Sequence, residues 1–134
     1  MSGPINSFLD NRPLVLGGQV SEVRTLTASQ GALVQGTVLG LVTATGNLRV
    51  CAIGNGDGSQ VARFVLLHDV ADDPATQAVE VLIAGTVNGD QLTFDGTDDV
   101  LDVVAATNLS HRDSLRANGI IAVMGDDLYA WDNT

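Results

Sequence analysis

Imidazole and carboxylate side chains crowd one short stretch of this chain: His68, Asp69, Asp72 and Asp73 lie in "LHDVADDPAT", between two apolar runs. Such a set offers nitrogen and oxygen donors to a divalent cation, or an acid and a base to a reaction. Cation sites draw their ligands at defined spacing, and this stretch matches neither the calcium loop of an EF-hand nor a two-histidine helix pair. Pro74 stops it, so it reads as an acidic loop separating two strands. "GNGDGS", Gly54 to Ser59, has the glycines of a phosphate cradle but no lysine and no helix after it, and a calcium-binding β-roll needs the motif in tandem. It is expected to be an exposed loop.

Ser110, His111, Asp113 and Ser114 contain the letters of a nucleophilic triad. In a working triad the partners converge from separate segments, whereas neighbours on one short helix point apart. A capped surface helix accounts for them better. Cys51, between Val50 and Ala52, is expected to be a small core hydrophobe rather than a reactive thiol. The many aspartates leave paired carboxylates for glycoside chemistry open, but the scarcity of aromatic residues leaves little from which to build a sugar platform. The residues thus predict no enzyme, with no catalytic residue, metal or cofactor.

The elements that would carry these side chains are mostly strands. "FVLLHDV" and "AVEVLIAGTV" are short, apolar and rich in β-branched residues, which marks core strands. "GALVQGTVLGLVTATGNLRVCAIG" spreads glycines among leucines and valines, the composition of bulged β-structure, with a turn at "TATGN". "LVLGGQVSEVRTLT" predicts two short extended segments around Gly17 and Gly18, and Asn88-Gly89 is a hairpin signal. One helix is well marked in "SHRDSLRANG": Ser110 caps it, Asp113 completes a variant capping box, Leu109 and Leu115 form its apolar side and Gly119 ends it. Residues 99–106 are a second candidate helix. "GIIAVMG" then returns as a strand, which makes a mainly β fold with one or two short helices.

With 134 residues the chain makes one ordinary domain. Residues 1–13 are rich in turn formers and read as a flexible N-terminal arm, residues 14–124 as the β-rich domain and residues 125–134, with Tyr129 and Trp131, as a C-terminal tail. The formal charge is −10, from 16 acidic and six basic residues, all of the latter arginine. That charge disfavours nucleic acid and anionic membranes as partners. At 45% hydrophobic residues the chain carries enough apolar material to fold despite its charge. The lone cysteine excludes an internal disulfide and a thiolate zinc cage. "MSGPINSFLDNRP" has neither the basic segment nor the apolar core of a secretory signal, so synthesis in a cytoplasm is expected.

Three stretches together resemble the lambda-type head decoration (capsid-stabilising) proteins of tailed phages. "GALVQGTVLGLVT" is similar to the family's glycine-punctuated opening. "FVLLHDVADDPATQAVEVLIAGTVN" resembles its central pattern of strand, acidic loop and strand. "LRANGIIAV" is similar to its closing helix-to-strand segment. The resemblance runs in order over about residues 25–124. It implies a small β-clip-like domain that forms a homotrimer at three-fold and quasi-three-fold positions on the outer surface of the expanded phage head. There it would bind the major capsid protein and act as a cement against internal DNA pressure.

By position, the resemblance makes residues 1–13 the capsid-binding arm, which adds a strand to the coat protein. Pro4, Ile5, Phe8, Leu9, Leu14 and Leu16 are the expected anchors, with Leu14 to Leu16 equally readable as the first strand of the domain. The trimer interface is not assigned to residues. A trimeric tail or fibre module, and a small ligand-binding domain with a concave polar pocket, are the competing classes.

Overall fold

Burial alternates only at the start of "QAVEVLIAGTVN": Val79 and Val81 are covered while Ala78 and Glu80 are exposed, and Leu82, next to Val81, is buried as well. A computed structural model of the protein describes residues 13–96, 98–105 and 107–124. In it this segment is β5 (Gln77–Asn88), paired antiparallel along its length with β1 (Val15–Leu26). The other elements, in chain order, are β2 (Val38–Leu41), β3 (Leu48–Val50), β4 (Phe64–Leu66), a 3-10 turn after β5 (Gly89–Gln91), β6 (Val103–Val104), β7 (Leu109–Ser110), α1 (His111–Ala117) and β8 (Ile120–Val123). The fold is mainly β, as the patterning predicts.

Hydrogen-bonded neighbours run β1, β3, β2, β4, β5 and back to β1, so the strands close a ring. Closure between β1 and β3 rests on one parallel pair, Leu26 with Leu48. Against β5, β4 pairs at Leu82 and Val81, and β8 continues along the same edge in parallel from Gly85 to Asn88. β6 and β7 form a separate two-stranded sheet.

β2 and β4 are apolar at consecutive positions because each has a core on both faces. Val38 and Val65 point into one cluster with Leu82, Leu115 and Ile120. Leu39, Phe64 and Leu66 point into a second with Leu26, Leu48 and Val79. Gly40, in β2, lies so close to the loop before β4 that a Cβ there would collide with the backbone of Ser59.

Some local expectations change in the structure. The segment around Gly17 and Gly18 is one continuous strand whose register slips between Val15 and Ser21, not two strands. Bulges absorb the break: Gly18 has φ +65°, Gly85 opposite has φ +137°, and a Cβ on Gly85 would lie 3.0 Å from the carbonyl oxygens of Gly17 and Gly18. Asn88-Gly89 makes no hairpin. Both edges of β5 are already occupied there, by Val15 of β1 opposite Val87 and by Val123 of β8 opposite Asn88. Asn88 instead caps the 3-10 turn, accepting from Asp90 N.

Residues 99–106 include the strand β6 rather than a second helix. Asp99 Oδ1 accepts from Leu101 N, Asp102 Oδ2 from Asp99 N and Asp99 O from Asp102 N, which closes a single turn that ends as β6 begins. The helix "HRDSLRA" does form, with Ser110 Oγ accepting from Asp113 N at 3.1 Å and Gly119 at φ +97° just beyond its end. Its buried side is His111, Ser114 and Leu115, while Leu109 precedes it in β7 and is 38% exposed.

Candidate functional site

The acidic loop between β4 and β5 is a clasp. Its carboxylates are aimed at backbone amides: Asp69 Oδ1 accepts from Gln35 N at 2.8 Å, Asp72 Oδ1 from Gly31 N at 3.0 Å and Asp73 Oδ1 from Ala75 N at 2.9 Å. Leu33 and Val70 exchange backbone hydrogen bonds, both at 2.8 Å, and Ser29 N donates to Asp73 O. His68 turns away, accepting from Glu80 N at its Nε2. The loop 68–76 is thus stitched to residues 29–35. The carboxylates of Asp69 and Asp72 hold the two loops together, while that of Asp73 closes a turn within its own loop. Among the described residues no three His, Cys, Asp or Glu side chains converge as metal ligands.

"GNGDGS" is exposed only in part, at Gly54 and Gly56, with Ser59 fully covered. Asp57 organises it, accepting from the Ser59 hydroxyl, from Arg49 at 2.8 Å and from Ser59 N at 3.1 Å. The Ser59 side chain, then Arg49, then the Ser59 amide hold the Asp57 carboxyl down at about 2. Asn55 ties the same loop to Val50 O and Ser59 Oγ. Arg49 also lines a cleft with Gln30, Thr37, Thr93 and Asp95. Its guanidinium is committed to Asp57.

The letters of the triad do not meet one another. Ser110 caps α1, Asp113 is exposed and Ser114 Oγ is buried without a hydrogen-bond partner. His111, expected on a surface helix, is fully buried and meets residues from two other segments. Its Nε2 lies 2.9 Å from Asp98 Oδ2 and its Nδ1 3.7 Å from Cys51 Sγ, with its ring stacked on Phe94 at 4.5 Å. A thiol, an imidazole and a carboxylate in this order resemble nucleophilic machinery. Here the thiol is fully buried, and burial together with the charge of Asp98 pushes it up to about 12. It stays protonated and closed to substrate, so the cluster does no nucleophilic chemistry in this conformation. The helical spacing of His111, Ser114 and Leu115 was the available sign of its burial. Nothing near Asp98 pointed to its role.

Pro4, Ile5, Phe8 and Leu9 lie outside the described residues. Leu16 is half-buried in β1. Leu14, grouped with the arm anchors on sequence, is a core residue: it is 2% exposed, packs in the first cluster, and its carbonyl accepts from Asn88 N at 2.8 Å. β1 itself meets β5 along one edge and β3 only at Leu26 on the other. Among the described residues its outer edge before Leu26 is unpaired, and Val20 and Val23 on this strand are 49% and 68% exposed.

The family model of bacteriophage lambda head decoration protein D matches residues 15–114. The chain belongs to that head decoration family. The match begins at the first residue of β1 and ends within α1, so it takes in the β1–β5 ribbon, the clasp and the loop around Asp57. Membership makes this a structural component of a phage head, and the features a decoration protein needs are surfaces and edges rather than a reaction centre. Among the described residues no helix is long and apolar enough to cross a membrane. A search of curated proteins found no match.

Proposed function

We propose that the protein is a homotrimeric cement that binds three-fold and quasi-three-fold positions on the outside of the expanded phage head and stabilises that state against the pressure of packed DNA. The observation that carries this reading is membership of the head decoration family over residues 15–114. The physical logic is linkage: a protein that binds the expanded lattice better than its precursor shifts the equilibrium toward expansion by its differential affinity. No chemical step is needed. A charge of −10 keeps the protein soluble at high concentration and away from DNA.

In this reading the chain divides into an arm (1–13), a domain (14–124) and a tail (125–134), and the burial of Leu14 supports placing the domain boundary just before it. The arm is an extended segment that completes a sheet edge of the major capsid protein through backbone hydrogen bonds, with alternate side chains in pockets. Pro4, Ile5, Phe8 and Leu9 are its anchors. Leu16, half-buried at the start of β1, extends the contact onto the domain. Leu14 leaves the anchoring set because its side chain is spent in the core.

The test is to mix purified protein with expanded, undecorated capsids of the parent phage and image them by electron cryomicroscopy. Density at three-fold positions with the arm on the coat protein is the expected result, and bare shells at saturating protein refute the reading. Deleting residues 2–12 should leave the domain folded and weaken shell binding severely. Undiminished binding by the truncated protein would remove the arm from the mechanism.

A further inference from the structure

The cluster of Cys51, Asp98 and His111 is where three separate segments meet through polar side chains. Cys51 directly follows β3, Asp98 lies in the stretch after Phe94, and His111 opens α1. Asp98 Oδ2 faces His111 Nε2 and also accepts from Ile53 N at 2.7 Å, so one carboxylate oxygen ties the helix to the loop after β3. Cys51 Sγ faces His111 Nδ1 on one side and Gln60 O at 3.5 Å on another, and its carbonyl accepts from Asp95 N. The helix is fastened to the same stretch by His111 N to Asp102 O at 2.9 Å and Arg112 N to Val100 O at 2.8 Å. β6 and β7 have two residues each, too few to hold a sheet on their own. On its outside this portion carries Leu101 and Val103, 55% and 54% exposed.

We infer that Cys51, Asp98 and His111 form a latch that closes the β6–β7–α1 portion against the strand ring, and that this portion opens locally, as one unit, when the latch is broken. Polar groups inside a core concentrate the cost of disruption, since losing one partner strands another in an apolar site. Proteins open in cooperative units at free energies below that of global unfolding. Opening this unit uncovers Val100 and Leu115 of the first core and the buried Val104, but leaves the second core, around Leu39, Leu66 and Val79, in place. The thiol reports the event, being protonated and covered when closed and an ordinary accessible cysteine when open. This inference does not depend on capsid binding.

The experiment is native-state alkylation of Cys51, the single cysteine, by iodoacetamide, read by mass and set beside amide hydrogen exchange on the full chain. In the wild type, labelling of Cys51 and exchange at Val100–Val104 and His111–Ala117 should report one opening constant, larger than that of the β4 and β5 amides. Asp98→Asn keeps an acceptor oxygen but replaces a charge-assisted bond with a neutral one, so it should speed labelling roughly five- to tenfold and leave β5 exchange unchanged. Val79→Ala, in the other core, should speed β5 exchange and leave labelling unchanged. The latch is overturned if wild-type Cys51 is labelled only as fast as the β4 and β5 amides exchange, if Asp98→Asn labels no faster, or if Val79→Ala accelerates labelling as much as Asp98→Asn. Should Asp98→Asn fail to fold, the wild-type and Val79→Ala measurements still decide.

Discussion

Leu14→Ala separates the two roles that sequence allows for this residue. The side chain is 2% exposed and packs in the first core, with its Cδ1 3.5 Å from where a Cβ on Gly36 would sit. Truncating a buried leucine costs about 2 to 5 kcal/mol. Leu14 sits just before β1, where the backbone can settle into part of the cavity, so a loss of about 2 to 3 kcal/mol is expected. With an unfolding entropy of roughly 2.1 cal/mol/K per residue, each kcal/mol lowers the melting temperature of a 134-residue chain by about 3 to 4 °C. The variant should therefore melt about 7 to 11 °C below the wild type. Urea titration followed by circular dichroism should show a lower midpoint at unchanged slope, since the surface exposed on unfolding is nearly the same. At a temperature where both are folded, the variant should bind expanded shells as the wild type does. A variant of unaltered stability that has lost shell binding would make Leu14 an arm anchor and refute its place in the core.

Leu16→Ala should do the converse, costing less than about 1 kcal/mol because the side chain is only half-buried, while weakening binding to expanded shells in a pull-down. Asp57→Asn should flatten the acid limb of the stability profile. The folded carboxyl sits at about 2 against an ordinary 3.8, so its contribution is complete above pH 4 and is lost as pH falls through 2, and denaturation followed by fluorescence across that window should show a shallower slope in the variant. Asp69→Ala leaves Gln35 N without its acceptor and should cost about 1 kcal/mol in urea melts. Asp72→Asn with Asp73→Asn keeps an acceptor oxygen at both sites and should change neither folding nor metal content, and calcium bound by the wild type but not by that variant in calorimetry would restore the cation reading. Gly40→Ala, which drives a methyl group into the backbone of Ser59, should cost about 2 kcal/mol or more or prevent folding, as judged by soluble yield and melting.

The strands were readable wherever burial is dictated by local pattern. Phe64, Val65 and Leu66 are apolar in succession because a core lies on each face, and Val79 and Val81 alternate with exposed Ala78 and Glu80 only up to Leu82, which enters the other core. The helix was readable because Ser110, Asp113 and Gly119 carry its ends in their own chemistry. What escaped is long-range. Whether Asn88-Gly89 turns a hairpin depends on β8, which occupies the edge a returning strand would need. The surroundings of His111 depend on Asp98 and on Cys51, 60 residues earlier in the chain. Asp69 and Asp72 read only as part of an acidic loop because nothing local marks Gln35 and Gly31 as their partners. The anchors Pro4, Ile5, Phe8 and Leu9 fall outside the described residues and rest on family position alone.

The pairing of the first strand with the fifth has a consequence for how the protein is made. β1 leaves the ribosome before its partner, which is not complete until Asn88 has been synthesised. At roughly 5 to 20 residues per second, β1 waits on the order of 3 to 12 seconds with both edges open. Pairing at this separation also raises contact order and slows closure of the ring. An unpaired strand of twelve residues is a template for aggregation during that wait. Its own sequence limits the hazard: Gly17 and Gly18 weaken the segment as a flat strand, and Glu22 and Arg24 put charge on it. Features that look like irregularities of the finished ribbon are protection for a nascent chain.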